Sequence, residues 1–430
     1  MRSARYAPPG PLLSEMFRVI SALTVRCTVE TRGRDLSEVD SAALPARRRL
    51  RWRREPGSTL RHAARNPTER SSRVRLTEEQ QELRAAVRSL LARHDGAAAW
   101  RPLTEQIGVA ALAVPDEYGG AGCGSREVHV VMEELGRELC RVPYLGSAVL
   151  TVQALLASGD RAACARLLPP LAEGRTVGAL AWAEQSSWDA SAIRAAAVPG
   201  PGGTWRITGA KHHVLDGAEA DVLLVAARTA AGVSLFDVAV DGAGVRREAA
   251  VSMDQTRAQA RVVLDGAEGR LIGADGQGDR ALAHVLDLAC TALAAEQVGA
   301  AERCLELTVA YARERVQFGR PIGSFQAVKH RLADAYVLVE SARSAALGAA
   351  FAAADDSPAL PRYAAVAKSA CSEAFSAVAG EMIQLHGGIA ITWEHAAHHY
   401  FKRAHGSGQL FGPPAWHRSR LAAGLGLTPA

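Results

Sequence analysis

Aromatic residues, cysteine pairs and long apolar runs are all scarce in this sequence of 430 residues. Aromatic side chains make up 5% of the chain, and the seven cysteines are scattered without a Cys-x-x-Cys pair, which argues against a metal site and a disulfide framework. No apolar run approaches the length of a membrane-spanning helix, and no usual signal peptide opens the chain. We therefore expect reduced thiols, no metal, no membrane partner and a cytoplasmic protein.

Acidic charge is also scarce near the start of the chain. Residues 1–75 hold 17 Arg against 7 acidic residues, a balance of +10 that leaves about −5 for the remainder. A mildly acidic body argues against nucleic-acid binding through the folded part. The leader lacks amphipathic periodicity, and we predict disorder there. The acidic residues of the leader are unusual in an organellar transit peptide. An upstream start codon wrongly included in the reading frame explains the leader at least as well.

What is present is a hydrophobic content of 48% in a chain long enough for two or three domains. Thr77 to Gln80 has the spacing of a capping box and opens a helical stretch. From Val177 the pattern changes to short runs between turn residues, and alanine-rich helices return after residue 275. The predicted strands cover 177–183, 204–207, 222–226, 233–240 and 261–264.

One stretch, from Arg313 to Lys329, separates two long helical patterns. Arg315 supplies a planar cation with two donors, Gly319 lets a backbone approach closely, and Pro321 suits the start of a new helix. Such a turn can hold an anion, for example the phosphate of a cofactor. On composition alone, an ordinary helix connection with surface arginines is about as good an explanation.

The order of residues in this turn, Arg-x-x-Phe-Gly followed by Phe-Gln, resembles the signature of the acyl-CoA dehydrogenase family. The string from Pro115 to Gly122 and a later Gln-x-x-Gly-Gly turn are two further landmarks, so the resemblance covers roughly residues 74 to 425. It implies an α+β fold of acyl-CoA dehydrogenase type: an N-terminal helical domain at 76–176, a small β-barrel or sandwich at 177–273 and a C-terminal four-helix-bundle domain at 274–425. It also implies FAD as the cofactor and a tetramer.

The resemblance assigns two groups of residues to FAD, which in this family is bound mainly to a neighbouring subunit. The FAD-contacting residues would be Arg315, Phe318 and Gln326, together with Gln384, Leu385, His386, Gly387 and Gly388. Without that resemblance, a Gly-Gly pair that closes a helix is better explained as a plain C-terminal cap.

Three stretches would surround the flavin ring. Residues 183–189 occupy the place of the family segment that lies along the flavin, although Ala183 and Trp188 replace residues of its usual pattern. His213 and Leu215 stand where a tryptophan and a threonine are common. The His212-His213 pair is only a weak metal signal, because neighbours in a strand point to opposite faces and no third ligand follows.

The third stretch carries the base in this family. Dehydrogenation needs a base for the proton alpha to the thioester and donors for the thioester oxygen. The usual glutamate position falls on Gly412, and an alternative position on the long helix falls on Ala289. The catalytic residue is therefore unknown, with Glu394 as a weak candidate that is more simply a surface carboxylate. Helix geometry turns Asp287 away and puts Glu296 roughly 10 Å along the helix. The backbone N–H of Gly412 remains available to a thioester oxygen.

The run Thr392-Trp393-Glu394-His395 after the glycine pair resembles the sterol-side-chain branch of the family, which has paired subunits. The leading hypothesis is an FAD-binding subunit for α,β-dehydrogenation of an acyl-CoA thioester, in a homo- or hetero-tetramer whose partner supplies the base and whose electrons pass to an acceptor protein. Flavin-dependent oxygenation on the same fold, or a catalytically silent scaffold, remains open.

Overall fold

The computed structural model describes residues 76–427, and the predictions made for the leader at 1–75 lie outside the described residues. The N-terminal helices are α1 Glu78–Leu91, α2 Ser125–Arg137, α3 Val152–Ser158 and α4 Arg161–Ala172, with π-helical turns at Tyr144–Thr151 leading into α3. The predicted capping box is present: the Thr77 hydroxyl accepts from the Gln80 N–H, and the Gln80 side chain accepts from the Thr77 N–H.

Seven strands follow, and they form one sheet that closes on itself. They are β1 Gly178–Ala181, β2 Ala196–Pro199, β3 Trp205–Leu215, β4 Val222–Arg228, β5 Val233–Val238, β6 Val245–Ala249 and β7 Gln259–Ile272. The pairing order β4-β2-β3-β7-β5 returns to β4, while β1 pairs with β4 and β6 pairs with β7. This is a small barrel. Strands β2 and β6 were missed from sequence because both are short and mostly exposed, so neither alternates strongly.

The C-terminal part is again helical. Its helices are α5 Gly278–Glu314, α6 Gln326–Ala354, α7 Leu360–His386, α8 Ala397–Gln409 and α9 Pro414–Gly424. Buried alanines on α5, α6 and α7 let these three long helices pack closely. The predicted α+β fold, with a β-barrel between two helical domains, is confirmed.

The turn after α5 differs from the prediction in one respect. It contains a hairpin of two short strands, β8 Val316–Gln317 and β9 Arg320–Pro321, before α6 begins at Gln326. Pro321 therefore ends an edge strand, and it is also the N-cap of a short 3-10 helix, Ile322–Ser324, that precedes α6. The two central residues, Phe318 and Gly319, both have positive φ, as the tightest hairpin turns require.

The prediction that no apolar stretch approaches the length of a membrane-spanning helix was wrong. Two helices among the described residues, α5 and α6, are long and apolar enough to cross a membrane. The most apolar part of α5 is 83% buried inside the chain, which is typical of a core helix, whereas that of α6 is 39% buried. One or two such helices are weak evidence for a membrane span, because buried core helices share the same length and composition.

Candidate functional site

The hairpin at the end of α5 presents the first predicted group to solvent. Phe318, at its tip, is 92% exposed, and Arg315 and Gln326 are exposed as well. Phe325 anchors the hairpin. The Phe318 and Phe325 rings pack edge to face with 6.2 Å between their centroids, and the Arg320 guanidinium lies 4.0 Å from the centroid of the Phe325 ring. The hairpin is thus a fixed projection that offers a cation and an apolar ring.

The second predicted group lies at the C-terminal end of α7, directly beside the first. The rings of Tyr311 and His386 stack at 4.3 Å, and the Tyr311 hydroxyl donates to the His386 carbonyl at 3.3 Å. One turn further along α5, the Arg315 N–H donates to the Tyr311 carbonyl. Tyr311 therefore joins the two groups within one chain, and we call the combined surface the α5/α7 corner, formed by residues 315–326 and 384–388.

The α5/α7 corner has room for a ligand to lie against the backbone. Gly387 ends α7 with a φ of +65°, and an added Cβ at Gly387 or Gly388 would meet no atom within 4 Å. Both glycines are exposed, as are Ile391 and Trp393 just beyond them. A surface that combines a cation, open glycine backbone and exposed apolar side chains suits a phosphate-bearing ligand shared with another chain.

The three stretches expected around a flavin ring also come together, but the space among them is filled. Trp182, at the end of β1, is parallel to Phe411 with 6.0 Å between ring centroids. Trp188 packs edge-on against both, at 5.2 Å from Trp182 and 5.0 Å from Phe411, and lies 6.1 Å from His213. Trp182, Trp188 and Phe411 are all buried, and we call them the aromatic plug.

A flavin ring does not fit within the aromatic plug as it stands. A flat ring between two parallel rings needs about 7 Å, since each contact between carbon atoms is roughly 3.5 Å. Trp182 and Phe411 are 6.0 Å apart. The two places therefore differ: no third ring fits between Trp182 and Phe411, whereas the backbone at the α5/α7 corner is open.

Buried polar groups fix the plug in place. The Trp182 indole N–H donates to the Trp188 carbonyl at 3.3 Å, and the Lys211 ammonium donates to the Trp182 carbonyl and to Glu184. Burial lowers the pKa of Lys211 to about 8, opposed by Glu184. For Glu184, burial raises the pKa, but Lys211 and the backbone amides of Ala195 and Arg194 outweigh it, so the net shift is downward.

Gly412 lies in the turn between α8 and α9, and a side chain there would require Trp416 to move. Its φ is +100°, and an added Cβ would lie 2.4 Å from Cε3 of Trp416. Its N–H already donates to the Gln409 carbonyl at 3.1 Å. The donor that the sequence left available to a thioester oxygen is thus engaged within the turn.

Two buried basic side chains donate hydrogen bonds to the backbone at this turn. The His417 ring donates from Nε2 to the Phe411 carbonyl at 2.9 Å, and Lys368 donates to the Gly408 carbonyl at 3.0 Å. Burial, with the charge of Lys368 next in importance, lowers the pKa of His417 to about 3, so this ring is neutral at physiological pH. The turn is therefore tied by hydrogen bonds to buried side chains of α7 and α9.

The carboxylates considered as substitute bases are occupied elsewhere or exposed. Asp287 accepts from Arg420 at 2.9 Å, and Glu296 accepts from Arg257 and Arg403. Glu394 is exposed in the segment after Gly388. Within residues 76–427, no group of three or more histidine, cysteine or acidic side chains is placed to hold a metal ion. His212 instead accepts from the Gln185 N–H.

Sequence reasoning missed Trp182 and Trp416, the residues that close the site. Each is an ordinary apolar residue within its own segment, and their meeting depends on the barrel and α9 packing together. The available signal was the scarcity of tryptophan, because the chain has only seven, and of these Trp182 directly precedes the segment expected along the flavin while Trp188 lies within it.

The fold, with its β-barrel between two helical domains, defines the class: flavin-dependent dehydrogenases of the acyl-CoA type. Comparison with known proteins agrees. The family model "Acyl-CoA dehydrogenase, N-terminal domain" matches residues 77–175, and "Acyl-CoA dehydrogenase, C-terminal domain" matches residues 276–426. The chain is 41% identical over 352 residues to acyl-CoA dehydrogenase IpdE2 of Mycobacterium tuberculosis, covering 78% of this chain and 94% of that protein.

Two solved structures are similar over most of their length. The ChsE4-ChsE5 complex from Mycobacterium tuberculosis has a TM-score of 0.76 and 30% identity, covering 83% of this chain and 100% of that chain. A variant of the Tcur3481-Tcur3483 steroid ACAD has a TM-score of 0.73 and 32% identity, covering 81% of this chain and 98% of that chain. The chain belongs to the acyl-CoA dehydrogenase family, whose members are FAD-dependent oxidoreductases.

Proposed function

We propose that this chain is the non-catalytic subunit of a hetero-oligomeric acyl-CoA dehydrogenase. Its α5/α7 corner binds the dinucleotide end of an FAD whose ring lies in a partner subunit. The partner also supplies the base and binds the acyl-CoA thioester. The observation that carries the proposal is the aromatic plug, because no flavin ring fits between its rings, where the family resemblance would put one, while the corner stays exposed.

The chemistry of the α5/α7 corner supports a role in binding the dinucleotide. Arg315 suits a phosphate oxygen pair, because its planar guanidinium donates two parallel hydrogen bonds. The open backbone at Gly387 and Gly388 suits a phosphate or sugar close to the chain. The Phe318 ring is 92% exposed, so it is removed from water only when a second molecule covers it. FAD, when bound, supplies the hydride acceptor of the reaction.

The filled space at the place where the family resemblance puts the flavin ring supports the second half of the proposal. Trp182 and Phe411 occupy it, Trp416 fills the space of a side chain at Gly412, and the Gly412 N–H is engaged. Opening the plug would expose three large buried rings and break the Trp182 to Trp188 hydrogen bond. The same closure disfavours oxygenation by a flavin held in this chain alone.

Relatives support a paired assembly and a steroid-type substrate. Both of the similar solved structures bear two-protein names, and one is called a steroid ACAD. By analogy, the thioester bound by the partner would carry a steroid-derived acyl group, and the partner would pack on the exposed face of α6, where Tyr336, Val337 and Leu338 are exposed. A cytoplasmic location and an electron-transfer protein as acceptor stay predictions.

The experiment is a count of flavin per chain. We expect the full-length chain, purified alone, to be colourless and unresponsive to acyl-CoA. Co-expressed with a catalytic acyl-CoA dehydrogenase subunit, it should form a mixed oligomer with one FAD for every two chains, and the flavin should bleach anaerobically when the acyl-CoA is added.

A corner variant distinguishes binding of FAD from simple assembly. Arg315→Gln in this chain should lower the FAD content of the complex while the mixed oligomer still forms, and Arg313→Gln, two residues earlier and also exposed, should leave FAD in place. One FAD per chain in the isolated protein, reduced by an acyl-CoA, would contradict the proposal.

A further inference from the structure

Three helices, α1, α2 and α6, meet at one buried carboxylate. Glu133 of α2 is 3% exposed, and its two oxygens accept hydrogen bonds from Arg84 of α1 and from Arg343 of α6. Each of these charges has lost water on burial, so the arrangement is stable only while the pairs stay complete. We call Arg84, Glu133 and Arg343 the Glu133 junction.

A histidine without any hydrogen bond lies beside the Glu133 junction. His129, one turn earlier on α2, is 2% exposed, and neither of its ring nitrogens has a hydrogen-bond partner among the described residues. Its Nε2 is 3.8 Å from Glu133, which is too far for a hydrogen bond. Because both nitrogens are shielded from solvent, a proton added to this ring has no water to hydrate it.

Charged and titratable side chains come close to this ring from each helix packed there: Glu133 from α2, Arg84 from α1, Arg343 from α6, Glu302 and His284 from α5, and Asp356 from the turn after α6. Burial is the main reason that the pKa of His129 lies below its ordinary value. Glu133 opposes that shift, and the two arginines add to it. The ring is therefore neutral at physiological pH, and a proton on it places a third cation beside Glu133.

Arg84 is the more weakly held of the two arginines. Among the described residues, its side chain makes one hydrogen bond, to Glu133, while its Nε is 3.6 Å from Glu134 and has no hydrogen-bond partner. Arg343, in contrast, also donates to two further carboxylates, Glu302 and Glu340. A third cation at Glu133 therefore displaces Arg84 first.

We propose that the Glu133 junction is an acid-sensitive latch on α1: a proton on His129 displaces Arg84 from Glu133, and α1 then opens away from α2. Opening exposes the ring, which then titrates near the ordinary histidine pKa of about 6.5. In the closed form the pKa of His129 is lower. Between the two values the open form binds more protons, so the closed form loses stability as the pH falls below about 6.5.

Native-state hydrogen exchange of the full-length chain tests the latch. From about pH 7.5 to about pH 5, the opening constant of the α1 amides, corrected for intrinsic exchange rates, should rise up to about 30-fold more in the unmodified chain than in His129→Leu. His405→Leu removes an exposed histidine of α8 and is the matched control. It should behave like the unmodified chain.

A second variant distinguishes the latch from an ordinary buried histidine. Arg84→Met keeps His129 but removes the cation that the proton displaces, so the protonated ring can pair with Glu133. The α1 amides should open more readily at both pH values, and their acid-induced rise should be about fivefold smaller, the worth of one hydrogen bond. An equal acid-induced rise in the unmodified chain and in His129→Leu would overturn the proposal. So would an undiminished rise in Arg84→Met.

Discussion

Replacing Gly412 by alanine tests whether the turn at the usual base position has room for any side chain. Gly412 has a φ of +100°, and an added Cβ would lie 2.4 Å from Trp416 and 3.3 Å from His417. Strained backbone of this kind costs roughly 1–3 kcal/mol, and overpacking costs roughly another 1–3 kcal/mol. Gly412→Ala should therefore lower the free energy of unfolding by about 2–6 kcal/mol.

The assay is urea unfolding, followed by tryptophan fluorescence, in a double-mutant cycle with Trp416→Ala. Removing the Trp416 ring relieves the overpacking but not the backbone strain. Gly412→Ala should then cost about 1–3 kcal/mol less in the Trp416→Ala background. Gly408→Ala is the control, because Gly408 is in α8 and an added Cβ would meet no atom within 4 Å. It should be neutral or stabilising by up to about 1 kcal/mol.

Two results would refute this reasoning. Gly412→Ala could be as stable as the unmodified chain, or its cost could be the same with and without Trp416. Either result would mean that the turn can admit a side chain and that a carboxylate could be installed there. If the cycle behaves as expected, Gly412→Glu should not generate dehydrogenase activity in the isolated chain.

Further predictions concern the corner and a buried lysine. Arg315→Gln should weaken FAD binding by the complex about 10-fold to 150-fold, the worth of a charge-assisted hydrogen bond, and equilibrium dialysis measures it. Phe318→Ser should change the unfolding free energy of the isolated chain by less than about 0.5 kcal/mol, because the ring is exposed, yet should lower FAD retention by the complex. Burial lowers the pKa of Lys368 from 10.5 to about 8. Between those values the unfolded chain binds more protons, so the free energy of unfolding should rise by up to about 3 kcal/mol relative to Lys368→Met as pH increases. A flat difference across that pH range in urea titrations would contradict it.

Local patterns predicted the helices and most of the barrel. The capping box at Thr77 and the long helix before Arg315 can be identified from residues that are neighbours in the chain. The same holds for the strands with buried, alternating side chains. Strand β6 could not be found in this way, because it is exposed and carries the charged run Arg246 to Glu248.

The packing of the aromatic plug together with Trp416 could not be predicted from local patterns. It requires Trp182 from the barrel, Phe411 from the turn after α8 and Trp416 from α9 to converge, and their separation in sequence gives no sign of this. The sequence did indicate an empty base position at Gly412, but it suggested an open one with a free N–H. In the structure, that N–H and the surrounding space are both taken.

The most direct test of the central claim is a crystal structure of the mixed oligomer determined with FAD. We predict that the flavin ring lies in the partner subunit and that its phosphates lie against Arg315 and the glycines at the end of α7 of this chain. Trp182 and Phe411 should remain stacked. A flavin ring found between Trp182 and Phe411, with those side chains displaced, would contradict the account.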